Sequence, residues 1–298
     1  LLKRHSFQRW LPQAAAITAG LVACLLLVQS GPAQPLREAP GPPGGRILDL
    51  APRQQWNANF GYCGEIAFIV AGLSFGQYLS QYEARAVASA SASQSAEGSQ
   101  LLLGVNDGAF AARSHLEVSG WSGGTVAEFL AWIRGHVLQN HPVIIGLYAN
   151  QRRFYGRRDP QAGSPEYDHI VSVLGVRPGA QTSAAASPGG PDWELLFSDH
   201  GLLDSDLAGN SRYRFQVPFS SFARTRSQAN QEQAPFYSLP EGTPAYGVAV
   251  LGVKDRLQQT LPVRLSPSSS SETPQIANGS SLRPALPALS LRLPGSDP

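Results

Sequence analysis

Cys63 stands in the segment FGYCGE, at the head of the apolar run IAFIVAGLSF. A thiol in that position has two uses. The unsatisfied backbone N–H groups and the dipole of a helix's first turn favour a thiolate, which makes Cys63 a candidate nucleophile. A small apolar residue filling a buried helix is the alternative. Gly61 and Gly64 flank the cysteine closely and permit a tight entry and the near approach of another backbone to the sulfur. A cysteine nucleophile also needs a base, and the base needs a group to orient it.

Six histidines are available for the role of base, and their surroundings separate them. His5 lies in an N-terminal leader-like segment, His136 and His141 flank a helix end, and His115 falls in a loop. His169 differs, because it opens the strand-like run HIVSVLGV directly after the polar stretch GSPEYD. A polar side chain at the mouth of a buried strand is mounted on a rigid element at a cleft edge. Asp199 stands at the matching end of the next such run, WELLFSD. If the two strands are neighbours, Asp199 accepts a hydrogen bond from one imidazole nitrogen of His169 while the other faces Cys63. A turn-capping carboxylate before Gly201 is the alternative for Asp199, and Asp168 and His200 are adjacent residues easily mistaken for the partners.

The segments NANFGYCGE, YDHIVSVLGV and LLFSDHGL, in that order, resemble the papain-like cysteine peptidases, most closely the branch that includes the double-glycine leader peptidases and their secreted relatives. The resemblance covers roughly residues 54–253. It implies a triad of Cys63, His169 and Asp199 and an α+β fold in which a central N-terminal helix packs against an antiparallel β-sheet. It also implies an oxyanion donor about six residues before the cysteine, usually a glutamine. Asn57 occupies that place, and Gln55, eight residues before Cys63, is the alternative; either amide supplies the required N–H. Gly64 and Glu65 stand where papain has an aromatic residue after its cysteine, so papain's substrate preferences do not carry over.

The function expected from these residues is hydrolysis of a peptide or amide bond through a thioester, on a peptide or protein substrate and without a cofactor. Acyl transfer to an amine, as in a transglutaminase, uses the same triad, and a non-catalytic peptide-binding module on the same fold is a further alternative.

The elements that must position these groups are legible from periodicity. Residues 63–79 are apolar on most faces and predict a buried central helix despite Gly72 and Gly76. Thr125 and Glu128 have capping-box spacing ahead of FLAWIRGHVLQN, which predicts a second helix ending near Asn140. Four strand-like runs follow: PVIIGLYA, HIVSVLGV, WELLFSD and YGVAVLGV. A helix-rich part followed by a mainly β part reads as α+β. The basic and aromatic stretch QRRFYGRRDP after the first strand is a solvated loop or part of a cleft rim.

Composition sets the limits of the folded part at 51–255. Residues 35–50 read as a Pro/Gly linker, 179–191 as a low-complexity connection, and 256–298 as a disordered Ser/Pro-rich tail. Residues 1–34 have the layout of a signal peptide, with Lys3, Arg4 and Arg9 ahead of an apolar stretch; an uncleaved anchor, or a lipoprotein site at Cys24, are the alternatives. A secreted, periplasmic or extracellular location is expected, or a membrane-anchored one, with membrane contact only through that leader or a lipidated Cys24.

Removing the leader would change the formal charge from +2 to −1 and leave Cys63 as the single thiol, with no intramolecular disulfide. A balance so near zero gives no electrostatic footprint for nucleic acid. No metal site is expected either. The calcium-like run from Asp204 has Ala208 at a ligand position and Phe215 where the closing Glu belongs, and the histidines are scattered.

Overall fold

The computed structural model describes residues 45–50, 53–179, 193–199, 214–241, 245–254, 264–267 and 289–292. All of them belong to the compact unit Glu38–Pro298. The leader with Cys24, the linker up to residue 44, the connection 180–192, the calcium-like run with His200, and the rest of the tail after residue 254 lie outside the described residues.

The strands are β1 (Arg46–Ile47), β2 (Leu116–Gly120), β3 (Val143–Ala149), β4 (His169–Pro178), β5 (Trp193–Ser198), β6 (Arg214–Pro218), β7 (Ala223–Arg224), β8 (Tyr237–Pro240), β9 (Gly247–Val253), β10 (Arg264–Pro267) and β11 (Leu289–Arg292). The helices are α1 (Cys63–Leu73), α2 (Gln81–Ala88), α3 (Asp107–Arg113), α4 (Val126–Leu138), α5 (Gln151–Tyr155), α6 (Phe219–Phe222) and α7 (Arg226–Ala229). Nine strands form one sheet, antiparallel except where β7 meets β8, with the main order β2-β9-β3-β4-β5-β6. The α+β class expected from the sequence is the class observed.

The reason the strand runs read as continuously apolar is that the sheet is covered on both faces. Successive side chains of a strand point to opposite faces. Val143 and Ile145 of β3 and Val171 and Val173 of β4 accordingly join one core with Phe129, Ile133 and Val137 of α4. Ile144, Ile170 and Val248 join the other, with Ile66, Ala67 and Phe68 of α1, Ala84 of α2 and Phe110 of α3. In that second core Phe68 meets Phe110 edge-to-face, with ring centroids 5.1 Å apart. Each fully buried side chain of this size contributes about 1.5–3 kcal/mol over leaving it in water. Helix α1, which begins at Cys63, is thus pressed onto the sheet chiefly at β4.

Three expectations are corrected. The central helix ends at Leu73, not at 79, because Ser74, Phe75 and Gly76 turn back onto the carbonyls of Ala71, Gly72 and Leu73, with Gly76 at φ +79°. Ser80 and Glu83 then form a capping box that starts α2. Part of the segment assigned to the linker is regular structure: β1 pairs with β4, and Leu48 and Leu50 point inward to the first core. The tail is not wholly without regular structure either, since the backbones of β10 and β11 pair antiparallel. The sequence LSLR of β11 alternates leucine with other residues, a period-two pattern that the composition of the segment hides.

The Thr125–Glu128 capping box is formed, with the Thr125 hydroxyl accepting from the Glu128 N–H at 3.2 Å and the Glu128 carboxylate accepting from the Thr125 N–H at 2.7 Å. All four strand runs are strands, as β3, β4, β5 and β9.

Candidate active site

Cys63 is the first residue of α1, and no side chain caps that helix. Its own backbone N–H therefore has no intrahelical partner and is free to donate outward. The chain enters α1 through three consecutive left-handed residues, Asn59, Phe60 and Gly61, at φ 48°, 66° and 90°. Only the third is glycine, so the turn is held by something other than its own preference. Arg85, reaching over from α2, does this. It donates to the carbonyls of Asn59 (2.8 Å), Gln94 (3.2 Å) and Gly61, and lies over the Tyr62 ring at 3.6 Å.

The Arg85 charge is balanced by Glu65 in the first turn of α1, with Nε to Oε1 at 2.6 Å and both side chains 1% exposed. Glu65 also accepts from the Leu101 N–H at 3.1 Å. Burial raises the Glu65 carboxyl above its ordinary value, and Arg85 opposes that shift. Gly64 between them is required by close approach: a Cβ there would collide with the Leu101 carbonyl oxygen.

His169 opens β4, opposite Leu147 of β3, and Asp199 follows the last residue of β5. The two strands are neighbours, paired Ser172 to Ser198. His169 Nε2 lies 3.0 Å from Asp199 Oδ1, with the imidazole 1% and the carboxylate 0% exposed. With Nε2 committed to Asp199, Nδ1 is the nitrogen left for a second partner, and the Cys63 sulfur is near enough to favour the charged ring. Burial works against a charged imidazole, but the hydrogen bonds to Asp199 and Cys63, and the charges of both, outweigh it and raise His169 to about 9. All three triad candidates are brought together.

Tyr237 of β8 covers this pair and was not marked by any sequence signal beyond an aromatic residue in a short strand. Its ring stacks on the imidazole at 5.5 Å with the planes 25° apart. Burial first, then the charge of Asp199, raise the phenol well above its ordinary range, so it stays protonated. Asp168, adjacent to His169 in sequence, is committed elsewhere. It pairs with Arg226 and accepts from the N–H groups of Ala149 and Ser164, each at 2.8 Å.

Cys63 and His169 both line a cleft of about 870 Å³, and Gln55 and Asn57 line it with them. The two amides differ in setting. Asn57 is solvent-exposed. Gln55 is 9% exposed, its Oε1 has no hydrogen-bond partner among the described residues, and its Nε2 packs against Gly61. The left-handed run Asn59–Gly61, closed by a Gly61 N–H to Ala58 carbonyl bond of 2.8 Å, coils the intervening chain. Residue counting from the cysteine takes no account of such a coil.

His115, His136 and His141 take no part in the cleft; the last two face each other, Nδ1 to Nδ1 at 3.3 Å, at the end of α4. Among the described residues no helix is long and apolar enough to cross a membrane.

No family model matches the chain, and no curated protein matches it. Among solved structures it is similar to SERA5E from Plasmodium falciparum, at 12% identity and a TM-score of 0.24, over 48% of this chain and 50% of that one. The chain spans about half the length of that relative. A likeness of this size carries no argument about fold or activity.

Proposed function

We propose that the protein is a cysteine-dependent hydrolase of peptide bonds, built on a papain-like arrangement, with Cys63 as nucleophile, His169 as acid and base, and Asp199 as the group that orients the imidazole. One observation carries the reading. A buried imidazole, bonded to a carboxylate at 3.0 Å through one nitrogen, shares the wall of an open cleft with a helix-start cysteine whose sulfur favours the charged ring.

The chemistry follows from those positions. His169, raised to about 9, holds a proton at neutral pH and stands beside the Cys63 sulfur, whose nucleophilic form is the thiolate. The thiolate attacks the substrate carbonyl carbon, and the carbonyl oxygen takes up the negative charge. The Cys63 N–H and the Gln55 amide stabilise that oxygen; buried and held against Gly61, Gln55 suits the role better than the exposed Asn57. The C–N bond then breaks, His169 transfers its proton to the leaving amine, and a thioester remains on Cys63. Water, giving a proton to His169 as it attacks, releases the acid and restores the pair. Asp199 keeps Nε2 bonded throughout, so that Nδ1 stays directed at sulfur and leaving nitrogen.

The test is cleavage of denatured casein by the wild type, Cys63→Ala and Gln55→Ala proteins, followed by mass spectrometry. Turnover is expected to fall by several orders of magnitude in Cys63→Ala and by roughly 10²–10³ in Gln55→Ala. Equal cleavage by wild type and Cys63→Ala would sink it.

A further inference from the structure

The wall of the cleft that carries His169 is fixed by a polar network with one side chain left over. Asp168 ties β4 to Ala149 through its bond from that N–H. Arg226 donates to the Ala149 carbonyl at 2.6 Å and to Asn230 at 2.7 Å. Asn150, 1% exposed, donates to the carbonyls of Gln231 (2.9 Å) and Ala234 (3.2 Å), and the Gln151 N–H is taken by Asn230 at 2.9 Å. These bonds hold the backbone of 149–151 in a single position. The side-chain amide of Gln151 is outside the network: it is 5% exposed, lines the cleft, and has no hydrogen-bond partner among the described residues. The amide faces the cleft with no hydrogen bond to the rest of the described protein, so a ligand can pair with it without a side-chain hydrogen bond being broken first.

Position decides which part of a ligand meets it. Gln55 and the Cys63 N–H lie on the chain entering α1, whereas Gln151 follows β3, the direct neighbour of the His169 strand. His169 is the group that delivers a proton to the departing nitrogen, so the leaving half of the substrate lies along its wall. Beyond Gln151 that wall continues to Tyr155, with Arg157 over the ring at 5.5 Å.

Resting on the hydrolase reading, we propose that Gln151 is a substrate-binding residue for the leaving half of an extended polypeptide, hydrogen-bonding the backbone of the residue just after the scissile bond. The substrate class is therefore a peptide cut internally, with chain on both sides of the bond, and not a simple terminal amide.

The test uses the full chain and a site cleaved in denatured casein. Two substrates share its acyl half: one continues for three residues beyond the scissile bond, the other ends in an aminocoumarin amide. For Gln151→Leu, which keeps the volume and loses the amide, the ratio of kcat/KM for the peptide to that for the coumarin amide is expected to fall about tenfold or more relative to wild type. Gln151→Glu, which keeps an acceptor, is expected to lie between them and guards against misfolding of the leucine variant. An unchanged ratio in both variants overturns the assignment while leaving the hydrolase intact. Absence of any casein cleavage by the wild type overturns the hydrolase reading and this inference together.

Discussion

Replacing Arg85 by Met removes the charge that Glu65 faces while keeping much of the side-chain volume. Both groups are 1% exposed, so the stranded carboxylate has no water to turn to and keeps backbone N–H groups, that of Leu101 at 3.1 Å, in place of a charged partner. Breaking a buried pair from one side costs about 3–5 kcal/mol. For a domain of this size each kcal/mol lowers Tm by about 2–4 °C, so a loss of roughly 6–20 °C is expected. The pH dependence has a definite sign. Burial already raises the Glu65 carboxyl and Arg85 restrains that rise, so without Arg85 it moves further up. The folded variant then binds a proton that the unfolded chain does not, and its deficit shrinks as pH falls, by at most about 1.4 kcal/mol per pH unit.

Urea unfolding at pH 8 and pH 5 reads both effects. The double variant Glu65→Leu with Arg85→Met buries no lone charge and is expected to regain most of the stability. It is not expected to regain turnover, because the carbonyls of Asn59 and Gly61 remain unheld and the approach to Cys63 is loose; kcat/KM should stay about tenfold or more below wild type. A single variant within about 1 kcal/mol of wild type, or a double no more stable than the single, would refute the argument.

Three other outcomes are expected. Because His169 is raised from 6.5 to about 9, the stability it contributes is present below pH 6.5 and lost as pH rises through 9, and kcat/KM should fall along an alkaline limb near 9 in a pH–rate profile. Asp199→Asn should lower turnover by roughly 10²–10⁴ and move that limb to lower pH, since the carboxylate's bond and charge both support the imidazolium. Gly64→Ala should destabilise the fold by about 1–3 kcal/mol in thermal unfolding, because the atom it strikes is the Leu101 backbone carbonyl, which has no rotamer to escape into.

The parts of the fold that were legible are those where local pattern and tertiary need agree. Cys63, His169 and Asp199 each stand at the end of a strongly apolar element, and the ends of buried elements are where polar side chains meet. Thr125 and Glu128 carry their cap in adjacent residues. The different settings of Asn57 and Gln55 were not legible, because they depend on three left-handed residues bonded by Arg85, 24 residues beyond Gly61. Arg85 itself had a readable sign: Glu65 in an apolar helix and an arginine in an alanine-rich one both call for a buried partner. Tyr237 and Gln151 had none, since their roles arise from β8 and α5 being folded against the site by contacts distant in sequence. β1 was hidden because its two residues follow a Pro/Gly segment and only the inward Leu48 and Leu50 mark it.

The central claim is that the imidazole of His169 makes the Cys63 sulfur reactive. Its most direct measurement is the rate of iodoacetamide alkylation of the Cys63 peptide at pH 6, followed by mass spectrometry in wild type and His169→Ala. Labelling is expected to be about tenfold or more faster in the wild type. Equal, slow labelling in the two proteins would contradict it.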